Sequence, residues 1–167
     1  MEDKITLERI KTLHPKLRDE ATEIYKEIQQ ALKGRAICRF SHTLRTFEEQ
    51  NALYAQGRTK AGKIVTNAKG GESMHNFGLA IDIVLLVDRD KNGTFESASW
   101  ETNVDFDGDG VSDWMEIVKI FKSFGWEWGG DWKFTDMPHF QKTFGRSLRE
   151  LKSLVDNKKT VNGYVVI

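Results

Sequence analysis

Cysteine and proline are scarce in this chain, and net charge is missing altogether. The single cysteine, Cys38, rules out an intramolecular disulfide, and its neighbours Ala36 and Ile37 mark it as a small buried side chain rather than a reactive thiol. Lys+Arg and Asp+Glu both number 25, which removes the bulk basicity expected of a nucleic-acid binder. No stretch approaches the ~18 apolar residues of a membrane-spanning helix. The opening Met1-Glu2-Asp3-Lys4 is charged rather than apolar, so no secretory leader is expected and synthesis in the cytoplasm follows. What is present is 167 residues, 39% hydrophobic and 11% aromatic, enough for one domain with its own core.

The first third reads as helices around one strand. Thr6 is expected to cap a short turn carrying Leu7, Ile10 and Leu13. Pro15 suits the first turn of a longer helix, in which Leu17, Ala21, Ile24, Ile28 and Leu32 recur at helical spacing until Gly34 stops it. Residues 35–41 read as a strand. Thr46 and Glu49 form a capping box for a helix through Leu53 and Tyr54 to Gly57. Arg45, just before that cap, projects from a strand-to-helix corner, as a functional group or as a solvated arginine. Residues 57–71 are polar and glycine-rich, an extended loop with a short strand at 63–66. A helix is expected over 113–124, another over 147–157, and a strand at 164–167.

Two segments carry metal chemistry. Ser73-Met74-His75-Asn76-Phe77-Gly78-Leu79-Ala80-Ile81-Asp82 and Asp136-Met137-Pro138-His139 together supply two of the four histidines and an aspartate within an apolar run. A carboxylate there is costly unless compensated, and two imidazoles with one carboxylate are a common zinc-binding set that leaves a position for water. Each residue alone is ordinarily satisfied by hydrogen bonds; the pairing of segments is what favours metal. An odd sequence separation puts His75 and Asp82 on opposite faces of an unbroken strand, so a turn or bulge near Gly78 must bring them together. With His139 on the metal, Asp136 would stand beside the metal's water, where a general base belongs. The run Trp126-Glu127-Trp128-Gly129-Gly130-Asp131-Trp132 is either a core strand with a tight turn or a groove wall; both roles are compatible.

A second cation signal lies in an acidic stretch at 88–116. Asp105, Asp107, Asp109 and Asp113 occupy positions 1, 3, 5 and 9 of a calcium loop, Gly110 position 6, the Val111 carbonyl position 7 and Glu116 position 12. Upstream, Asp88-Arg89-Asp90-Lys91-Asn92-Gly93-Thr94 begins the same way, but Ser99 stands at its position 12, so that copy is weaker. No good entering helix precedes Asp105, so a complete EF-hand is not expected.

The spacing Ser73-x-His75-x-x-Gly78-x-Ala80-x-Asp82 with Asp136-x-Pro138-His139 resembles the zinc peptidases that cut D-amino-acid-containing bonds of peptidoglycan. That family comprises D-alanyl-D-alanine carboxypeptidases and the L-alanyl-D-glutamate endopeptidases of phage endolysins. Ala55-Gln56-Gly57-Arg58-Thr59, Val65-Thr66-Asn67-Ala68 and Gly129-Gly130-Asp131-Trp132 are most similar to the endopeptidase branch. The resemblance covers roughly 35–145 and implies an α+β domain, a small antiparallel sheet flanked by helices, with the acidic stretch as an insertion. It implies His75, Asp82 and His139 as zinc ligands, Asp136 as base, Arg45 as the group steadying a substrate carbonyl or carboxylate, and Ser73 as a supporting hydrogen-bond group. Asp131 is the reserve candidate for base, and Trp132 a candidate substrate contact. The expected partner is a peptidoglycan stem peptide, met in the cell wall by lysis or another route, by a monomer with bound zinc and, at the acidic loop, calcium. The alternatives are a D-alanyl-D-alanine carboxypeptidase and a non-catalytic, metal-stabilised wall-binding module.

Overall fold

The apolar stripe from Leu17 to Leu32 forms helix α2 (Arg18–Leu32) of the computed structural model, which describes residues 2–167. A single 3-10 turn, Pro15–Leu17, precedes it. The helix stops one residue earlier than expected: Lys33 already adopts the left-handed conformation, with φ 51°, and Gly34 follows with φ 73°. Thr6 does not cap. It lies inside helix α1 (Lys4–Ile10), where its buried hydroxyl donates to Asp3 Oδ2 at 2.7 Å and accepts from the Phe40 amide at 3.0 Å.

Strand β1 (Ala36–His42) pairs antiparallel with the central strand β2 (Ala80–Val87) along one edge. The other edge of β2 receives β3 (Ser97–Ser99) and β5 (His139–Gln141), and β4 (Glu127–Trp128) adds outside β5. Five antiparallel strands with helices against them make the α+β arrangement anticipated. Ala36, Cys38 and Phe40 alternate inward on β1, opposite Val87, Leu85 and Ile83 on β2. Helix α4 (Asp113–Ser123) packs on α2 and contributes Trp114, Ile117, Val118 and Phe121 to the same core. The Phe121 ring stacks on Phe140 at 4.0 Å and lies 6.0 Å from Phe40. Each such fully buried side chain contributes roughly 1.5–3 kcal/mol.

Helix α3 (Phe47–Ala55) starts where the capping box places it, the Thr46 hydroxyl accepting from the Glu49 amide at 3.0 Å. No strand forms over 63–66. That segment finds no neighbour to pair with, and a lone bridge between Gln56 and Lys60 closes the loop instead. The last helix, α5 (Leu148–Asp156), is followed by a hairpin of β6 (Thr160–Val161) and β7 (Tyr164–Val165), so the expected terminal strand has a partner just upstream. No helix of the described residues is long and apolar enough to cross a membrane.

Asp3 fastens α1 to β1. Arg39 donates to both of its carboxylate oxygens, at 2.8 and 3.0 Å. Burial alone would raise the Asp3 carboxyl, but Arg39 and Thr6 outweigh it and hold it below the ordinary carboxylate range. A depressed folded-state pKa stabilises above the unfolded value and is lost as pH falls through the folded one. Asp3→Asn should therefore lower stability by about 1.5–3 kcal/mol at neutral pH, and the gap from the wild type should close below about pH 4 in denaturant melts.

Candidate metal centre

Asp82 is flanked across the sheet on both sides. His139 of β5 is its direct partner on one edge and His42 of β1 on the other, so the three side chains share a face of the sheet. A bulge makes this possible on the β1 side. Regular alternation would send His42 to the core face with Phe40, but the register shifts between the two, and His42 rather than Ser41 faces Asp82. His42 Nδ1 lies 3.8 Å from Asp82 Oδ2.

The turn required near Gly78 is a 3-10 turn, Met74–Phe77. Ser73 caps it, accepting from the His75 amide, and Gly78 ends it in the left-handed region with φ 69°. A side chain at Gly78 would also strike the His14 backbone. His75 is thereby delivered over Asp82 although it lies off the strand. Its Nε2 and His139 Nδ1 each stand 3.1 Å from the same oxygen, Asp82 Oδ1, and one donor atom from each residue falls within 4.8 Å of the others.

The outer hydrogen bonds settle which ring nitrogens carry protons. His75 Nδ1 lies 2.8 Å from the Thr43 carbonyl, which only accepts, so Nδ1 donates and Nε2 presents its lone pair. That Nε2 is buried and has no hydrogen-bond partner. His139 Nε2 is 2.9 Å from Gln141 Oε1, and the Gln141 amide nitrogen faces Glu127, so neutral His139 likewise aims the Nδ1 lone pair at Asp82. Two lone pairs converging on a carboxylate oxygen need a cation or a proton. Burial alone would raise the Asp82 carboxyl, yet His139 and His75 hold it well below the usual range. Burial alone would lower the His139 imidazole, yet Asp82 and Gln141 raise it. Protons and a metal ion compete for these lone pairs.

Asp136 stands at the rim, half exposed, with Oδ2 4.0 Å from His139 Nδ1. Burial raises its carboxyl above the ordinary value. Its segment is pinned at several points: Asp136 N donates to the Gly129 carbonyl at 2.9 Å, Trp128 Nε1 to the Met137 carbonyl at 2.7 Å, and Ile83 N to the Pro138 carbonyl at 3.1 Å. The tryptophan run serves both roles, with Trp126 and Trp128 buried and Trp132 tilted 5.3 Å from the His139 ring. Asp131 is placed elsewhere: its carboxylate pairs with Lys122 at 2.7 Å.

A cleft of about 650 Å³ opens over these groups, with Arg45, Glu72 and Thr66 among its walls. The Arg45 backbone amide donates to the His75 carbonyl and its guanidinium to Gln50 Oε1 at 3.1 Å. Gln50 is fully buried and passes its amide hydrogens to the Ala68 carbonyl and to Thr66. Asn76 ties Arg45, Gly71 and Ser73 together from below. Neither His42 nor Gln50 stands out in the sequence: one depends on a bulge, and the other has the look of a solvated helix residue.

Residues 66–142, which contain His75, Asp82, Asp136 and His139, match the D-alanyl-D-alanine carboxypeptidase family. Over 130 residues, 77% of this chain and 72% of the relative, the sequence is 46% identical to the peptidoglycan L-alanyl-D-glutamate endopeptidase CwlK of Bacillus subtilis (strain 168). The chain belongs to the M15 peptidase family. Among solved structures, the L-Ala D-Glu endopeptidase ChiX of Serratia marcescens aligns over 84% of this chain and 87% of its own, at 23% identity and a TM-score of 0.49. As an M15 peptidase the chain is a hydrolase. Arg45, His42 and Gln50 lie ahead of the matched segment, on the β1–α3 corner that the sheet brings to the same cleft.

Gly129 sits so close to the Asp136 carbonyl that an added Cβ would collide with it. Gly129→Ala should displace the Asp136 carbonyl and disturb the His139 amide that donates to it at 3.1 Å. Peptidase kcat/KM is expected to fall about 10²-fold or more.

Proposed function

We propose that this peptidase hydrolyses peptidoglycan stem peptides between L-alanine and D-glutamate, with a zinc ion held by His75, Asp82 and His139. The observation that carries this reading is the convergence of the His75 Nε2 and His139 Nδ1 lone pairs on Asp82 Oδ1, with Asp136 at the rim. Two imidazole nitrogens and a carboxylate oxygen fit zinc, and the buried His75 Nε2 has no other partner. The 46% identity to the endopeptidase CwlK supports the L-alanyl-D-glutamate bond over others. Bound zinc would supply Lewis acidity at the scissile carbonyl and lower the pKa of the attacking water from 15.7 toward about 7.

The chain's own groups do the rest. Asp136 Oδ2 accepts the proton of the attacking water and returns it to the leaving amine; a carboxyl raised by burial is a stronger base than a solvated one. The Arg45 guanidinium, held at the cleft wall by Gln50, receives the oxyanion or a substrate carboxylate. Trp132 forms one wall beside His139. Thr43 and Gln141 hold the two imidazoles in the tautomers a metal requires.

The family match also names D-alanyl-D-alanine carboxypeptidases, and the products separate the two reactions. Mass spectrometry of muropeptides digested with zinc-loaded protein should show new D-glutamate amino termini; release of free D-alanine instead would select the carboxypeptidase. Asp136→Ala should keep its zinc and lose about 10²–10⁴-fold in turnover, whereas His139→Ala should lose both zinc and activity. Full activity in Asp136→Ala would place the base elsewhere.

A further inference from the structure

The acidic stretch contains the same loop twice. In the first copy Asn92 N donates to Asp88 and Asp90, Gly93 N to Asp88 Oδ2, and Thr94 N to Asn92 Oδ1. In the second, Asp109 N donates to Asp105 and Asp107, Gly110 N to Asp105 Oδ2, and Val111 N to Asp109 Oδ1. Left-handed residues recur in step, Lys91 and Gly93 in one, Gly108 and Gly110 in the other. The backbones are alike, but the side chains complete them differently.

The first copy satisfies itself. The Asn92 amide donates to Asp90 Oδ2 and Glu96 Oε1, and the Thr94 hydroxyl reaches Asn92 and Glu96. At the matching places the second copy has Asp109 and Val111, which bring no side-chain hydrogen to give. Three of its oxygens make no hydrogen bond, while Lys33 donates to Asp109 Oδ2 at 3.4 Å. Asp113 is fully buried; its Oδ1 accepts from the Phe106 amide, and its Oδ2 has no partner. The Asp107 side chain is 1% exposed, and its Oδ2 has no hydrogen bond, only the Lys33 ammonium at 3.4 Å. Glu116 Oε2, from the first turn of α4, is buried without a partner as well. Asp105, Asp107 and Asp113 bring oxygens within 4.8 Å of one another, and so do Asp107, Asp109 and Glu116.

We propose that residues 105–116 form a calcium site, with Asp105, Asp107, Asp109, Asp113 and Glu116 as carboxylate ligands and the Val111 carbonyl as the backbone ligand, and that the 88–96 loop binds no ion. An all-oxygen set with several carboxylates suits calcium, which takes 6–8 oxygens; magnesium keeps several of its waters, and zinc prefers nitrogen and sulfur. Burial and the facing carboxylates push Asp113 up to about 6 and Glu116 up to about 7. Because Asp113 and Glu116 both belong to the first turn of α4, the ion would fasten the loop to the helix that carries Trp114, Ile117 and Phe121 into the core.

Calorimetric titration of calcium-stripped, zinc-loaded protein with calcium chloride tests this directly. One saturable calcium ion per chain is expected, with a melting temperature raised by about 5–10 °C at saturation. Glu116→Gln and Asp105→Asn should weaken binding by about tenfold or more, and Asp88→Asn should leave it unchanged. Both site variants relieve like-charge repulsion, so circular dichroism should find them folded without calcium. No calcium binding by the wild type would overturn the proposal without recourse to any variant. Equal binding of magnesium, unchanged affinity in Glu116→Gln, or a second ion lost in Asp88→Asn would each overturn it too.

Discussion

One carboxylate oxygen organises the cleft side of this molecule. Asp82 sits in a strand whose other side chains are almost all apolar and buried, where an uncompensated charge would cost several kcal/mol. Imidazoles reach Asp82 from three directions in the chain, from the 3-10 turn before the strand, from β5 across one edge and from β1 across the other, and a cation or proton among them would balance its charge. Thr43 and Gln141, behind the two buried imidazoles, are needed as much as the imidazoles are, since they decide which nitrogen faces inward. The sheet is thus shaped to gather electron-pair donors at a point that its hydrophobic pattern would otherwise leave dry.

Around this point the structure keeps two kinds of support apart. The aromatic layer of Phe40, Phe121 and Phe140 lies on the core face, so packing sets the spacing of the strands. The polar lattice of Gln50, Asn76 and Arg45 lies beneath the cleft and sets the position of the loop around Ala68. Apolar contacts tolerate small shifts, whereas a buried amide with every hydrogen bond made does not. The cleft wall is therefore stiffened around Arg45, although that wall is built largely from irregular backbone.

Much of this was legible in the residues because their chemistry is local. Capping at Thr46, the stop near Gly34, the helix beginning at Asp113 and the need for a turn at Gly78 each follow from a few neighbouring residues. The convergence of His75, Asp82 and His139 was readable from the pairing of two motifs. What could not be read depends on partners distant in sequence. Thr6 has the composition of a cap, yet Asp3 and Phe40 claim its hydroxyl. Residues 63–66 have β propensity but no strand within reach. Asp131 lies within the tryptophan run, five residues before Asp136, but its carboxylate pairs with Lys122. His42 and Gln50 owe their places to a register shift and to a loop folded over a helix, neither of which leaves a periodic trace.

The bulge at the end of β1 acts as a phase break along a single strand. Upstream of it, the alternation of Ala36, Cys38 and Phe40 is locked to the core; downstream, His42 obeys the opposite parity and belongs to the cleft. The two halves of the strand can therefore change independently. Substitutions among the inward residues alter packing without turning His42, while the chemistry at the mouth of the site can be retuned without disturbing the hydrophobic count. A strand with unbroken parity would have bound those two properties together. Here one extra residue, Ser41, sets them free of each other.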